Sequence, residues 1–296
     1  MTSHPLFGLL LATFGALVLT PDALFMRLSG MDGMQMLGWR GLSMGGLFLL
    51  AWFVTTSSRV RDLGILASGA GLAVMLCQAL NATLFPTGIA LAPVSVVLVS
   101  VATTPVWSAV LARLLYGEVT SRATWLTIVA VLFGIAIAVS GKGDAALNTS
   151  ALLGALCGLG VAFSLALNFV ILRNTSRVPI LLCIGLGALL AGSFGLLSAT
   201  PARMMDGTVW AIALTGALIL PVSFFSLSLA SRHTAATNVS LLMLLETVIG
   251  PLWVWLGTGE TPTPRMLLGG ALVLISLAAY LLGTDRAARR RRSQTV

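Results

Sequence analysis

The chain reads as an all-α, polytopic membrane protein of ten transmembrane helices, and three observations lead there. Of its 296 residues, 57% are hydrophobic and only 9% are charged, whereas a soluble domain carries about 25% charged residues to meet water. Its mean hydropathy is +1.01. Ten apolar runs divide it, each close to the roughly 20 residues that cross a hydrocarbon core, and no connection between them is long enough to hold a soluble domain.

The runs cover 5–26, 33–55, 64–86, 93–116, 125–140, 151–172, 179–198, 209–230, 239–256 and 266–283. The first has no Lys or Arg ahead of it, and Pro21-Asp22 interrupts the place of a cleavage site, so it is expected to be a retained helix rather than a signal. The second carries Arg40 some seven residues in, where a buried guanidinium must pair or snorkel; Asp22 and Asp32 are its candidate partners. Pro86 marks the end of the third, and Pro105 interrupts the fourth. Pro221 and Pro251 interrupt the eighth and ninth. Small-residue pairs such as Gly41/Gly45 and Gly154/Gly158 are expected to let helices approach closely. Cys77, Cys157 and Cys183 fall inside runs and are read as buried thiols.

The formal charge of +8 does not indicate a nucleic-acid partner, because the basic residues follow the connections. With the N-terminus in the cytoplasm, Arg59, Arg61, Arg113, Arg122, Arg173, Arg177, Arg232, Arg286 and Arg289–Arg292 lie inside. Arg27, Arg40, Lys142, Arg203 and Arg265 lie outside, giving 12 against 5. This is the positive-inside bias, and it expects both termini in the cytoplasm. The basic tail, 285–296, is expected to lie against anionic lipid headgroups of the bilayer.

Shifted by 142 residues, the segment 106–141 overlays 248–283 without a gap, matching Gly117-Glu118 to Gly259-Glu260 and Gly141 to Gly283. A weaker match sets Gly8 on Gly154, Asp22 on Asn168 and Arg27 on Arg173. Two repeats of five helices follow, 1–145 and 146–284. Five is odd, so the second repeat enters the membrane inverted, an architecture of many secondary transporters.

On these residues the chain resembles the drug/metabolite transporter superfamily, in particular its ten-helix EamA-type members. The features are Gly117-Glu118 and Gly259-Glu260, Arg40, and Glu246-Thr247. Where that family often has Glu-Pro, this chain has Thr104-Pro105 in one half and Glu246-Thr247 in the other, each keeping one member of the pair. Within the family the overall likeness is to aromatic amino-acid exporters. The resemblance implies export of aromatic amino acids and related metabolites across a bacterial inner membrane.

Polar groups inside apolar runs are the pointers to a pathway, because each needs a partner or a watery cavity. Glu246 is an acid in the middle of LLMLLETVIGPLW; it is either a proton- or ammonium-binding group or a structural acid bonded to a neighbouring helix. Gln78 and Asn81 share a helix face. Ser100, Ser164, Asn168 and Ser223 lie at similar depth; each serine can instead bond back to its own helix, and Asn168, like Asn238, can serve as interhelical glue. Trp107, Phe163, Phe224 and Phe14 can line an aromatic pocket or simply pack, while Trp39, Trp52, Trp125, Trp210, Trp253 and Trp255 suit interfacial belts. Pro21, Pro105 and Pro221 are candidate hinges or static kinks.

The reading is a carrier of an amphipathic small molecule, amino acid or metabolite, working as a monomer without a cofactor. A drug or organic-cation efflux carrier is the alternative, and cationic substrates would then depend on Glu246. Phosphorylated substrates fit poorly, since the single lysine, Lys142, lies in a connection. His4 and His233 are the two histidines, both outside the midplane, and no HExxH or CxxC pattern occurs, so neither an enzyme nor a metal site is expected. A channel or scaffold is the remaining class.

Overall fold

The computed structural model describes residues 6–92, 94–139, 149–199, 201–259 and 264–293. His4, Gly141, Lys142 and Glu260, and the boundary at 145/146, lie outside them. The described residues form helices and no strand. In order the helices are α1 (Phe7–Leu19), α2 (Asp22–Ser29), α3 (Gly33–Thr55), α4 (Arg59–Leu66), α5 (Gly69–Leu91), α6 (Val94–Val101), α7 (Thr104–Tyr116), α8 (Arg122–Val139), α9 (Thr149–Asn174), α10 (Ile180–Ser198), α11 (Val209–Leu214), α12 (Leu220–Ser231), α13 (Ala236–Met243), α14 (Leu245–Thr258) and α15 (Pro264–Ser293). A 3-10 turn, Pro201–Met205, precedes α11, and a π-helical turn, Thr215–Ile219, joins α11 to α12.

Among the described residues, eight segments are long and apolar enough to cross a membrane: Phe7–Ser29, Gly33–Thr55, Gly69–Ile89, Val96–Tyr116, Leu152–Asn174, Ile180–Ser198, Val209–Ser231 and Ala236–Thr258. Two more apolar helices, Arg122–Ile137 and Leu267–Gly283, are shorter. Large apolar side chains point outward from them all: Leu10, Leu126, Phe133, Leu197, Leu256 and Leu268 are each more than half exposed. In water such a surface would aggregate; against lipid tails it costs nothing.

The third run begins five residues later than its hydropathy suggests. Residues 59–66 form a separate short helix, and Ser68 starts α5, its hydroxyl accepting from the Gly71 amide. Gly71 is required there, because a Cβ would fall 2.4 Å from the Ile65 carbonyl. At the other end of α3, Asp32 and Gln35 form a reciprocal capping box that satisfies amides left open at the helix start.

Three of the spanning segments are broken in the middle. Phe7–Ser29 breaks at Thr20-Pro21, where Pro21 precedes the first turn of α2. Val96–Tyr116 breaks at Ala102-Thr103, with Pro105 in the first turn of α7. Ala236–Thr258 breaks at Leu244. Pro221 instead follows the π turn and sits in the first turn of α12, and Pro86 lies inside α5. Helix α9 is unbroken.

The packing centres on α3 against α10 and α5 against α9, with α1 on α12, α7 on α13 and α8 on α15. Glycine makes the first two contacts possible. A Cβ on Gly41 would sit 2.5 Å from the Gly192 amide nitrogen, and one on Gly154 would overlap the Ala92 Cβ. The buried core runs through Leu37, Met44, Phe48, Leu165, Phe169, Ile184, Leu227 and Leu241. Cys77 and Cys183 are buried free thiols, and Cys157 is half-buried.

Candidate functional site

An internal cavity with about 80 Å³ of space open to water lies where the three breaks come together. Leu19 and Asp22 reach it from either side of the first break, Val101 from just before the second, and Met243, Leu244 and Glu246 from around the third. A helix that stops and restarts can turn a side chain next to the break inward, which a continuous helix does only once per turn. The remaining wall is apolar: Phe85 and Pro86 of α5, Val161 and Leu165 of α9, and Leu220 and Phe224 of α12.

Polar side chains on the wall are few: Asp22, Arg40, Gln78, Asn81, Glu246 and Thr247. Arg40 Nη2 donates to Asp22 Oδ2 at 2.7 Å, joining α3 to the first turn of α2. Asp22 is almost fully buried, and 14% of the Arg40 side chain is exposed. Gln78 and Asn81 stand on the cavity side of α5, one turn apart, and Glu246 opens α14, half-buried. Asp22 Oδ1, Arg40 Nη1 and Gln78 Oε1 are buried and have no hydrogen-bond partner among the described residues. An ionised side chain in a low-dielectric interior is costly unless opposite charges and hydrogen bonds compensate it. The Asp22–Arg40 pair supplies the first, and the free atoms leave the second incomplete.

Of the residues singled out from the sequence, Gln78, Asn81, Phe224 and Glu246 line this cavity. Six do not. The Ser100 hydroxyl donates back to the Val96 carbonyl at 3.0 Å. Trp107 and Phe163 meet edge to face at 5.6 Å, with Phe163 38% exposed on the outer surface. Ser164 and Asn168 are buried on α9 beside Leu165 and one turn beyond it, and Ser223 is buried next to the cavity-facing Phe224. Asn168 Oδ1 and Ser223 Oγ have no partner among the described residues. Phe14 is 51% exposed. Among the hinge candidates, Pro21 and Pro105 sit at breaks that reach the cavity, and Pro221 does not sit at one.

The sequence reading offered Asp22 as a partner of Arg40 but placed neither on the pathway, and both line the cavity. The signal was present, since both are charged groups inside a segment otherwise fit for lipid. Asp32, the other candidate partner of Arg40, instead caps α3 and pairs with Arg203 at 3.3 Å.

Away from the cavity the polar side chains bind helices together. Asn238 donates to Thr234 Oγ1 and accepts from the Tyr280 hydroxyl, tying α13 to α15. Ser108 and Ser240 hydroxyls lie 2.6 Å apart between α7 and α13. Arg173 donates to the Arg232 carbonyl at 3.0 Å and reaches Glu118 at 4.0 Å, while Arg232 donates to the Val178 carbonyl. At the opposite end of α10, Gln35 donates to the Arg203 carbonyl and Trp39 to the Met204 carbonyl.

The chain is 27% identical over 243 residues to a protein of Bacillus subtilis (strain 168) named as the uncharacterized transporter YdfC, covering 79% of this chain and 77% of that protein. No family model matches it. Its fold is similar to that of a solved crystal structure with a TM-score of 0.76, over 94% of this chain and 97% of that one, at 17% identity.

Proposed function

We propose that the protein is a membrane transporter that exports amino acids, aromatic ones and related metabolites foremost, across the bacterial inner membrane by alternating access. The observation that carries this reading is the cavity itself: an apolar chamber with a small set of charged and amide groups, enclosed where broken helices meet. The lining suits a solute with a polar head and an apolar body, and the chamber of about 80 Å³ must widen during the cycle to admit one. The likeness to a protein named as a transporter supports the same reading.

In this reading the eight long segments and the two shorter apolar helices make ten spans, arranged as two inverted sets of five with both termini in the cytoplasm. Three features support the repeat. The 142-residue shift carries the break at Ala102 onto the break at Leu244. Gly117 and Gly259, paired by that shift, both end helices with positive φ, 69° and 76°. Exchanging the halves also turns the α1–α12 contact into α9–α5, and α5–α10 into the contact of α3 with the helices of Val209–Ser231.

The test is counterflow of labelled L-phenylalanine in proteoliposomes. Saturable uptake competed by other aromatic amino acids is expected; no movement of any aromatic amino acid or related metabolite sinks the reading.

The second reading, an organic-cation exporter, draws on Glu246, an acid on the wall beyond the one that Arg40 pairs. Under it, Glu246→Gln abolishes transport of cations. A zwitterion carrier tolerates the change in exchange mode, and if Glu246 couples to protons, the variant loses only the component driven by a pH gradient.

A further inference from the structure

We propose that the Asp22–Arg40 ion pair is a head-group clamp that receives the ammonium and the carboxylate of one α-amino acid side by side, and so selects zwitterions over cations or anions with the same side chain. The proposal rests on the amino-acid carrier reading above.

The pair is joined through one contact only, Arg40 Nη2 to Asp22 Oδ2 at 2.7 Å. That leaves one acceptor, Asp22 Oδ1, and one donor, Arg40 Nη1, each buried and without a hydrogen-bond partner among the described residues. Both residues line the cavity. Static glue between two helices has no use for a spare atom of each sign, because a two-contact geometry would satisfy both ions. A ligand that brings its own cation and anion on adjacent atoms satisfies both at once.

Charge balance sets the selectivity. The ion pair is neutral, so a zwitterion laid against it adds no net charge to a low-dielectric chamber and opposes its dipole to the pair's. An amine without a carboxylate leaves Arg40 Nη1 unsatisfied and adds a buried positive charge. An acid without an ammonium leaves Asp22 Oδ1 unsatisfied and adds a negative one. Gln78 Oε1, also buried, unpartnered and on the wall, is a second acceptor for the three N–H donors of an ammonium. With the head held there, the body of the substrate meets the apolar wall, where Phe85 and Phe224 offer aromatic contact.

The experiment is competition against labelled L-phenylalanine on the purified full chain, with phenethylamine and 3-phenylpropionate as probes lacking one charge each. Wild type is expected to prefer L-phenylalanine over either by roughly 10- to 100-fold, the worth of a hydrogen bond to a charged group. Arg40→Gln should erase the preference over phenethylamine and keep that over 3-phenylpropionate; Asp22→Asn should do the reverse. If either variant fails to fold, the probe series on wild type still decides. L-Phenylalanine transported by wild type, with either probe competing equally well, overturns the clamp and leaves the carrier standing. So do two folded variants with unchanged preferences. Wild type that moves organic cations and no amino acid overturns both.

Discussion

Asp22 and Arg40 are 18 residues apart along the chain and 2.7 Å apart in space, and neither is tolerable in this interior without the other. Asp22→Asn leaves a buried guanidinium uncompensated and should cost about 3–5 kcal/mol. The double variant Asp22→Asn/Arg40→Gln removes both charges and should cost much less than the sum of the singles. Thermal unfolding in detergent of the three variants checks this; simple additivity would show that the two charges do not interact. Glu246, Gln78 and Asn81 stood out in the sequence because a polar side chain in an apolar run is conspicuous. Trp107, Phe163 and Phe14 were not separable from Phe224 by the same means. A helix apolar all round gives its lipid face and its cavity face the same composition, and only packing tells them apart. The Ser100 hydroxyl could not be placed from sequence either, since a bond to its own helix and a bond to a solute ask for the same residue.

At the scale of the element, the breaks matter more than the lengths. Of the ten expected spans, eight are long and apolar enough to cross a membrane and two are shorter apolar helices; hydropathy sums over many residues, and it merged α1 with α2, α6 with α7 and α13 with α14. A one-residue interruption barely moves such a sum. It misplaced the start of α5 because the α4 residues Leu63, Ile65 and Leu66 are as apolar as those of a span. Gly117-Glu118 was visible as a motif, and the structure gives its reason: Gly117 takes φ 69°, and its amide and that of Glu118 close the end of α7 onto Arg113 and Ala112. Gly117→Ala and Gly259→Ala should each destabilise by about 1–2 kcal/mol, the cost of the left-handed region for a residue with a Cβ; melting temperatures that stay level refute this. Gly41→Val strikes backbone rather than a flexible side chain and should exceed the about 1–3 kcal/mol usual for overpacking, read as loss of the monodisperse peak in size-exclusion chromatography.

For the whole molecule, the proposed alternating access acts at the contacts between the two proposed repeats. Ser108 of α7 and Ser240 of α13 hold hydroxyls 2.6 Å apart, a separation a disulfide spans with little adjustment. Ser108→Cys/Ser240→Cys, with Cys77, Cys157 and Cys183 replaced, should stop L-phenylalanine counterflow when oxidised and release it on reduction. Oxidised protein that still transports at the reduced rate would show that α7 and α13 keep their spacing throughout the cycle. The proposed pairing of halves rests on 36 residues of aligned sequence, in which the helix-ending glycines recur in register. The cavity was not legible in the sequence, because it is made by residues as distant as Asp22 and Glu246, brought together only by the packing of the helices between them.

The seam between α3 and α10 has one more implication. Gly41 meets Gly192, while Gly45 receives the Leu189 side chain, and Gly185 and Gly195 receive Phe48, Leu49 and Leu37, so glycine hollows on each helix hold side chains of the other. Neither helix can swivel on the other without lifting those side chains out. The rims add fastenings, where Arg232 holds the Val178 carbonyl below one end of α10 and Gln35 and Trp39 hold the segment after the other. Slip of α3 along α10 is therefore resisted over the whole seam, and the two helices are expected to travel together as one rigid plate.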